Sequence, residues 1–234
     1  MEKYTFGRES ETTVLVQMVD EHSLETLEAE VQYLRELTDQ KPFYLMALKV
    51  NHWNDDLSPW EAPAVFGNQG FYGGADGTLN EVLREMERLE MQDPDTNDSG
   101  KRVFYLGGYS LAGLFALHVG YHTDRFSGIA AVSPSIWFPG FVDVMRRYEP
   151  VAGKFYLSLG DKEARTGNPV KESAVQELVT VGDCIREAYR CLKERGRCCT
   201  LEWNKGNHFQ DVAMRMAKGF AWLMRCSEDN LAGL

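Results

Sequence analysis

RVFYLGGYSLAGLFALH, residues 102–118, decides how this chain is read. A short apolar, β-branched and aromatic run gives way to two glycines, a tyrosine and a serine, and then to an apolar segment of helical character. That is a strand entering a helix through a sharp turn. Working outward, the same alternation recurs. TVLVQMV (13–19) and FYLMALKV (43–50) read as buried strands, and 23–38 between them carries Leu24, Leu27, Val31, Leu34 and Leu37 at helical spacing, with Ser23 as its cap. Downstream, the expected strands are GIAAVS (128–133), KFYLSL (154–159) and CCTLEW (198–203). Helices are expected from Asp76 to about Leu89, at 111–121, 140–148, 170–195 (ended by Gly196) and 211–225. Strands alternating with helices predict an α/β fold, three layers with a mostly parallel sheet, in one domain spanning 1–234.

The bulk numbers fit. The chain has 234 residues, 44% hydrophobic and 12% aromatic, enough for a sizeable core. Asp plus Glu outnumber Lys plus Arg by 35 to 25, a net charge of -10, which argues against nucleic-acid and anionic-membrane partners. No apolar stretch reaches the length of a membrane span, and MEKYTFGRESETT at the start is too polar for a signal peptide. A cytoplasmic protein is expected. The cysteine count is odd at five, with no C-x-x-C pair, so buried free thiols are expected for most. Two segments read as loops: the polar 92–101, and an aromatic-rich 58–75.

From Gly108 the turn reads G-Y-S-L-A, one residue from G-x-S-x-G, the elbow that exposes a nucleophilic serine between a strand and a helix. Ala112 stands where the second glycine belongs, and Gly113 follows at once. The competing reading is a glycine turn that caps a helix or cradles phosphate. A dinucleotide loop would need G-x-G-x-x-G and a P-loop G-K-[ST], and neither is present.

A serine nucleophile needs a base, and the base an orienting acid, here expected in the order serine, acid, histidine. Three histidines follow Ser110. His118 and His122 lie four apart on the helix that begins at the serine, which carries them away from the turn. That spacing suits a metal pair, but Val119 stands where H-E-x-x-H has glutamate, so a helix-end or packing role is expected. His208, in NKGNHFQD between the last strand and the last helix, is the expected base. The acid should follow KFYLSL, where GDKEARTGNP offers Asp161 and Glu163. Glu163 has more reach beyond the strand end, while Asp161 suits the turn. The backbone N–H of Leu111 is one expected oxyanion donor. A second would come from the loop after TVLVQMV, Asp20-Glu21-His22, with Glu21 chosen.

At this point the chain resembles the esterase D-like and enterochelin-esterase-like group of α/β-hydrolases. The matching pieces are DLSPW (56–60), GGADGTLNEV (73–82), GGYSLAGLFAL (107–117), S-P-S-x-W (133–137), G-x-x-E (160–163), and GNHF (206–209) followed by AKGFAWL (217–223). The resemblance implies the α/β-hydrolase fold without a sizeable cap, and carboxylic-ester hydrolysis through an acyl-enzyme. It assigns Ser110 as nucleophile, Glu163 as acid and His208 as base, with no cofactor and no metal. The group usually has glycine where this chain has Ala112, and often one where it has Glu21. Trp53, Trp60 and Trp137 fall near the same edge, as substrate walls or as packing, and Trp53 and Trp137 are the expected substrate contacts. Asn54, Asp55 and Asp56 read as a turn. The pocket should be open, covered at most by 58–75. The expected partner is a small-molecule ester, and a homo-oligomer stays open. The competing function is a non-catalytic binding protein on the same fold.

Overall fold

The computed structural model describes residues 1–65, 68–91, 101–169 and 179–226. Strands are β1 (Glu2–Phe6), β2 (Thr13–Val19), β3 (Tyr44–Lys49), β4 (Glu61–Ala62), β5 (Phe71–Tyr72), β6 (Val103–Tyr109), β7 (Gly128–Val132), β8 (Lys154–Gly160) and β9 (Cys198–Asn204). Helices are α1 (Glu21–Leu37), α2 (Trp53–Asp56), α3 (Ala75–Met91), α4 (Leu111–Val119), α5 (Phe141–Arg147), α6 (Val181–Glu194) and α7 (Val212–Arg225), with a 3-10 turn at Glu163–Arg165. Most of the expected 92–101 loop and the first part of the expected 170–195 helix lie outside the described residues.

Seven strands form one sheet in the order β1-β3-β2-β6-β7-β8-β9, all parallel except β1. Period-2 alternation sends Val14, Val16 and Met18 of β2 to one face and Leu15 and Val19 to the other. The first face packs under α3, α4, α5 and α6, the second under α1 and α7. Because the strands are parallel, the segments leaving β2, β6, β7, β8 and β9 all emerge along one edge.

The structure adds one strand that the sequence reading does not include and corrects two of its expectations. The polar N-terminus is partly a strand: β1 pairs antiparallel with β3 and closes that edge, so its outward residues are polar because they face water. The cap of α1 is Asp20, not Ser23; its carboxylate accepts from the Ser23 N–H at 2.7 Å and the Ser23 hydroxyl at 2.6 Å. The 58–75 loop contains a short hairpin, β4 with β5, tucked against Phe138 through Phe71 at 5.1 Å between ring centroids. The thiols follow expectation for three of the five: Cys184, Cys191 and Cys199 are buried, Cys198 is exposed and Cys226 intermediate.

On the α1 face, Gln17 of β2 meets Glu30 of α1, which is 2% exposed, through a 3.1 Å hydrogen bond from Nε2 to Oε2. Gln17 Oε1 and Glu30 Oε1 have no hydrogen-bond partner among the described residues. Burial raises the Glu30 carboxyl from its usual 4.5 to about 8, against the smaller pull of Gln17. A folded-state value above the unfolded one favours the fold at low pH. That contribution is complete below pH 4.5 and is lost as pH rises to about 8. Glu30→Gln should therefore stabilise the protein by about 4 kcal/mol at pH 7.5 and by under about 1 kcal/mol at pH 5. Urea midpoints at the two pH values check this. Equal midpoint shifts would show that Glu30 is not held neutral.

Candidate active site

β6 ends at Tyr109, and Ser110 makes the turn into α4 with φ 58° and ψ -120°. That backbone is strained for any side chain by about 1–3 kcal/mol, a strain that collects at functional sites. The turn survives because both sides of it are pinned. The Ser110 N–H donates to Val132 C=O at 3.0 Å, and its own C=O accepts from the Ser135 N–H at 3.0 Å. The paired glycines serve opposite faces. A Cβ on Gly107 would lie 2.5 Å from the Phe220 ring of α7, and one on Gly108 would collide with the Ala112 backbone. It would also come within 2.7 Å of the Ala112 methyl. Ala112 is fully buried, and its methyl occupies the space that Gly108 leaves free. The missing second glycine of the motif is thus absorbed by the first.

Ser110, Glu163 and His208 are brought together from loops 45 and 98 positions away from His208. Ser110 Oγ lies 3.0 Å from His208 Nε2, and His208 Nδ1 lies 2.6 Å from Glu163 Oε2. A carboxylate can only accept from Nδ1–H, so Nε2 carries the lone pair and faces the serine hydroxyl. Such a hydroxyl can pass its proton to the ring as it attacks an electrophile.

Glu163 is 8% exposed and saturated with donors. Its other oxygen accepts from Ser133 Oγ, the Gly160 N–H and Arg215 Nη1, each at 2.9 Å. Burial pushes its carboxyl up, but hydrogen bonds from His208, Gly160 and Ser133 and the His208 charge outweigh that and hold it below its usual value. Asp161 takes the turn role instead, accepting from the Gly206 N–H at 2.7 Å. Of the two acids, only Glu163 touches His208.

Arg215 of α7 was not singled out by sequence. It is 1% exposed and also donates to the Tyr109 hydroxyl at 3.1 Å and Lys205 C=O at 3.1 Å. Tyr109 in turn donates to His208 C=O at 2.6 Å. One buried guanidinium thus ties the acid, the strand before the serine, and the loop carrying the histidine. An arginine in an otherwise amphipathic helix gives no sequence signal of burial; only the fold shows it.

The Leu111 N–H opens α4, so it has no acceptor within that helix and sits at its positive end. The expected Asp20-Glu21-His22 loop is reduced to Asp20, since Glu21 already begins α1. The Glu21 carboxylate turns outward to Lys49 Nζ at 3.0 Å, so only its helix-first N–H is of interest.

Two cavities meet at Ser110 and His208. One, of about 460 Å³, is walled by Asp20, His22, Tyr33, Trp53 and Met214. The other, of about 410 Å³, is walled by Pro134, Trp137, Thr166 and Val181. Phe209, 80% exposed, borders both and is a further residue that sequence did not mark. Trp53 and Trp137 thus line different cavities. Trp60 is packing instead: it contacts Phe138 and Phe141 and donates from Nε1 to Pro139 C=O at 3.0 Å. Residues 53–56 form the short helix α2, where Asp56 accepts from the His52 N–H, consistent with a turn role. No described residue of 58–75 lines either cavity.

No protein-family model matches the chain, and no curated protein does. Solved structures do. The siderophore hydrolase EstA from Aspergillus nidulans is similar with a TM-score of 0.66 at 22% identity, over 93% of this chain and 84% of that one. An IroE-like serine hydrolase from Shewanella oneidensis gives 0.69 at 15%, over 95% and 75%. The enterobactin esterase FES from Shigella flexneri gives 0.62 at 15% and covers 96% of this chain but 55% of its own. The architecture is the α/β-hydrolase fold, and these neighbours carry names from the group that the sequence resembles. Among the described residues no helix is long and apolar enough to cross a membrane.

Proposed function

We propose that the protein is a serine hydrolase that cleaves carboxylic esters through an acyl-enzyme. The observation that carries this reading is the 3.0 Å approach of Ser110 Oγ to His208 Nε2, with Nδ1 held at 2.6 Å by Glu163. A binding protein has no need of a hydroxyl on a strained backbone aimed at an imidazole whose tautomer is fixed. Ser110 attacks the acyl carbon and His208 takes its proton. Glu163 stabilises the imidazolium without itself being protonated. The oxyanion is met by the Leu111 N–H, reinforced by the positive end of α4, and by a helix-first N–H at Glu21. His208 then protonates the departing alcohol, and water on the same base releases the acid.

The two cavities flanking Ser110 suit an ester with a sizeable group on each side of the scissile bond. Trp53 and Trp137 face these two groups, and Phe209 covers the junction. Two of the structural neighbours are named for siderophores or enterobactin, and an ester of that bulk and polarity matches this division.

Pre-steady-state hydrolysis of p-nitrophenyl butyrate tests the reading. A burst of p-nitrophenol close to one equivalent is expected, with a fluorophosphonate label recovered on the peptide containing Ser110. No turnover and no label would remove the proposal.

A further inference from the structure

His118 and His122 take no part in the chemistry above, and the fold gives them a third companion. Asp76, in the first turn of α3, places Oδ1 3.0 Å from His118 Nε2. His122, in the turn beyond α4, lies with its ring centroid 4.0 Å from that of His118. One ligand atom from each of the three residues falls within 4.8 Å of the other two. We infer that Asp76, His118 and His122 form a binding site for a zinc-class divalent metal, fastening the start of α3 to the end of α4.

The details of the cluster favour a ligand over a plain ion pair. His122 Nδ1 lies 2.7 Å from the His118 carbonyl, which can only accept, so Nδ1 carries the proton and Nε2 keeps a lone pair. Tying one ring nitrogen to a carbonyl is how metal-binding histidines are oriented. The same bond also caps a carbonyl in the last turn of α4, the helix-end role expected from the sequence. His118 is buried and fixes one vertex, whereas Asp76 and His122 are exposed and can adjust. Tetrahedral zinc at about 2.0–2.1 Å from each ligand needs ligand atoms about 3.3 Å apart. The Asp76–His118 separation is already close to that. Water can supply the fourth ligand, since Asp76 and His122 are exposed. Two imidazoles and one carboxylate select zinc, cobalt or nickel over calcium or magnesium. The site is separate from the nucleophile: His118 lies about 12 Å along α4 from Ser110.

From sequence alone, the metal reading of these histidines is set aside in favour of a helix-end or packing role. The four-residue histidine spacing suggests a metal pair, and Val119 removes only the metalloprotease reading. The third ligand comes from a helix 42 positions away, so no local motif could reveal it.

The test is calorimetric titration of the full chain, stripped with EDTA and dialysed, with zinc chloride. Cobalt absorption serves as a second readout. One zinc per chain is expected, with a micromolar dissociation constant and a rise in melting temperature of about 5 °C at hundredfold excess over that constant. Asp76→Asn and His122→Ala change exposed positions, so both variants should fold. Each should weaken binding by at least about tenfold and erase the cobalt spectrum of a nitrogen and oxygen site. His208→Ala should leave binding unchanged, which separates this site from the active-site histidine. Zinc binding weaker than millimolar, or equally tight in both cluster variants, overturns the proposal.

Discussion

Replacing Ser110 with alanine is expected to lower kcat for p-nitrophenyl butyrate by roughly 10⁴-fold or more and to abolish fluorophosphonate labelling. The size follows from the division of labour. In the proposed mechanism the hydroxyl, the imidazole and the carboxylate act as one unit, and each is useless to covalent catalysis without the others. His208→Ala should therefore cost about as much as Ser110→Ala, and the double variant little more than either. What remains would come from the proposed oxyanion donors, the backbone N–H groups of Leu111 and Glu21, which these substitutions leave in place. Both side chains can be removed without opening the core, because the positive φ of Ser110 suits alanine no worse than serine and His208 is partly solvent-facing. Activity measured beside circular dichroism thus separates chemistry from folding. A double variant whose loss equals the product of the single losses would mean that Ser110 and His208 act independently, contrary to their 3.0 Å contact.

How far the sequence reached depends on the range of the interaction involved. Helix α4 and strands β2, β6, β7 and β8 were legible because their apolar periodicity reports local burial directly. Strand β1 was not, because an edge strand needs only main-chain pairing with β3 and its outward side chains follow the solvent. β4 and β5 are two residues each, too short for any period. Ser23 reads as the cap of α1, yet Asp20, three residues earlier, has the stronger acceptor; both side chains join the same cap, so the sequence signal is real but shared. The serine and histidine positions were legible because each sits at a strand-to-helix junction. The acid was narrower than a pair only once reach was considered, and what separates the two is that Asp161 accepts from the Gly206 N–H whereas Glu163 accepts from His208. Arg215 was illegible because its partners lie 52 and 106 positions away.

That arginine sets the second large effect. Arg215→Met should destabilise the protein by about 3–5 kcal/mol, since it removes one partner of a buried ion pair and leaves the Glu163 carboxylate facing the gap. Methionine keeps the packing volume of the stem, so the loss is chiefly electrostatic. Arg215→Lys keeps the charge but cannot fork between Glu163 Oε1 and Lys205 C=O as Nη1 and Nη2 do, and should recover only part of the loss. The same substitution should change how activity depends on pH. In the wild type Glu163 is held below its usual value of 4.5, so its stabilising contacts are present above that value and are lost only as pH falls through the lower, folded one. Without the guanidinium, burial acts on Glu163 against fewer donors, its carboxyl titrates higher, and the acid limb of kcat moves upward in pH. A residue that merely filled space would lower the urea midpoint and leave that limb in place. Measuring both on Arg215→Met therefore distinguishes packing from positioning. If stability falls while the acid limb stays where it was, Arg215 supports the fold but does not tune the acid. If both move, the guanidinium that joins Glu163, Tyr109 and the His208 loop keeps the acid ionised against its own burial.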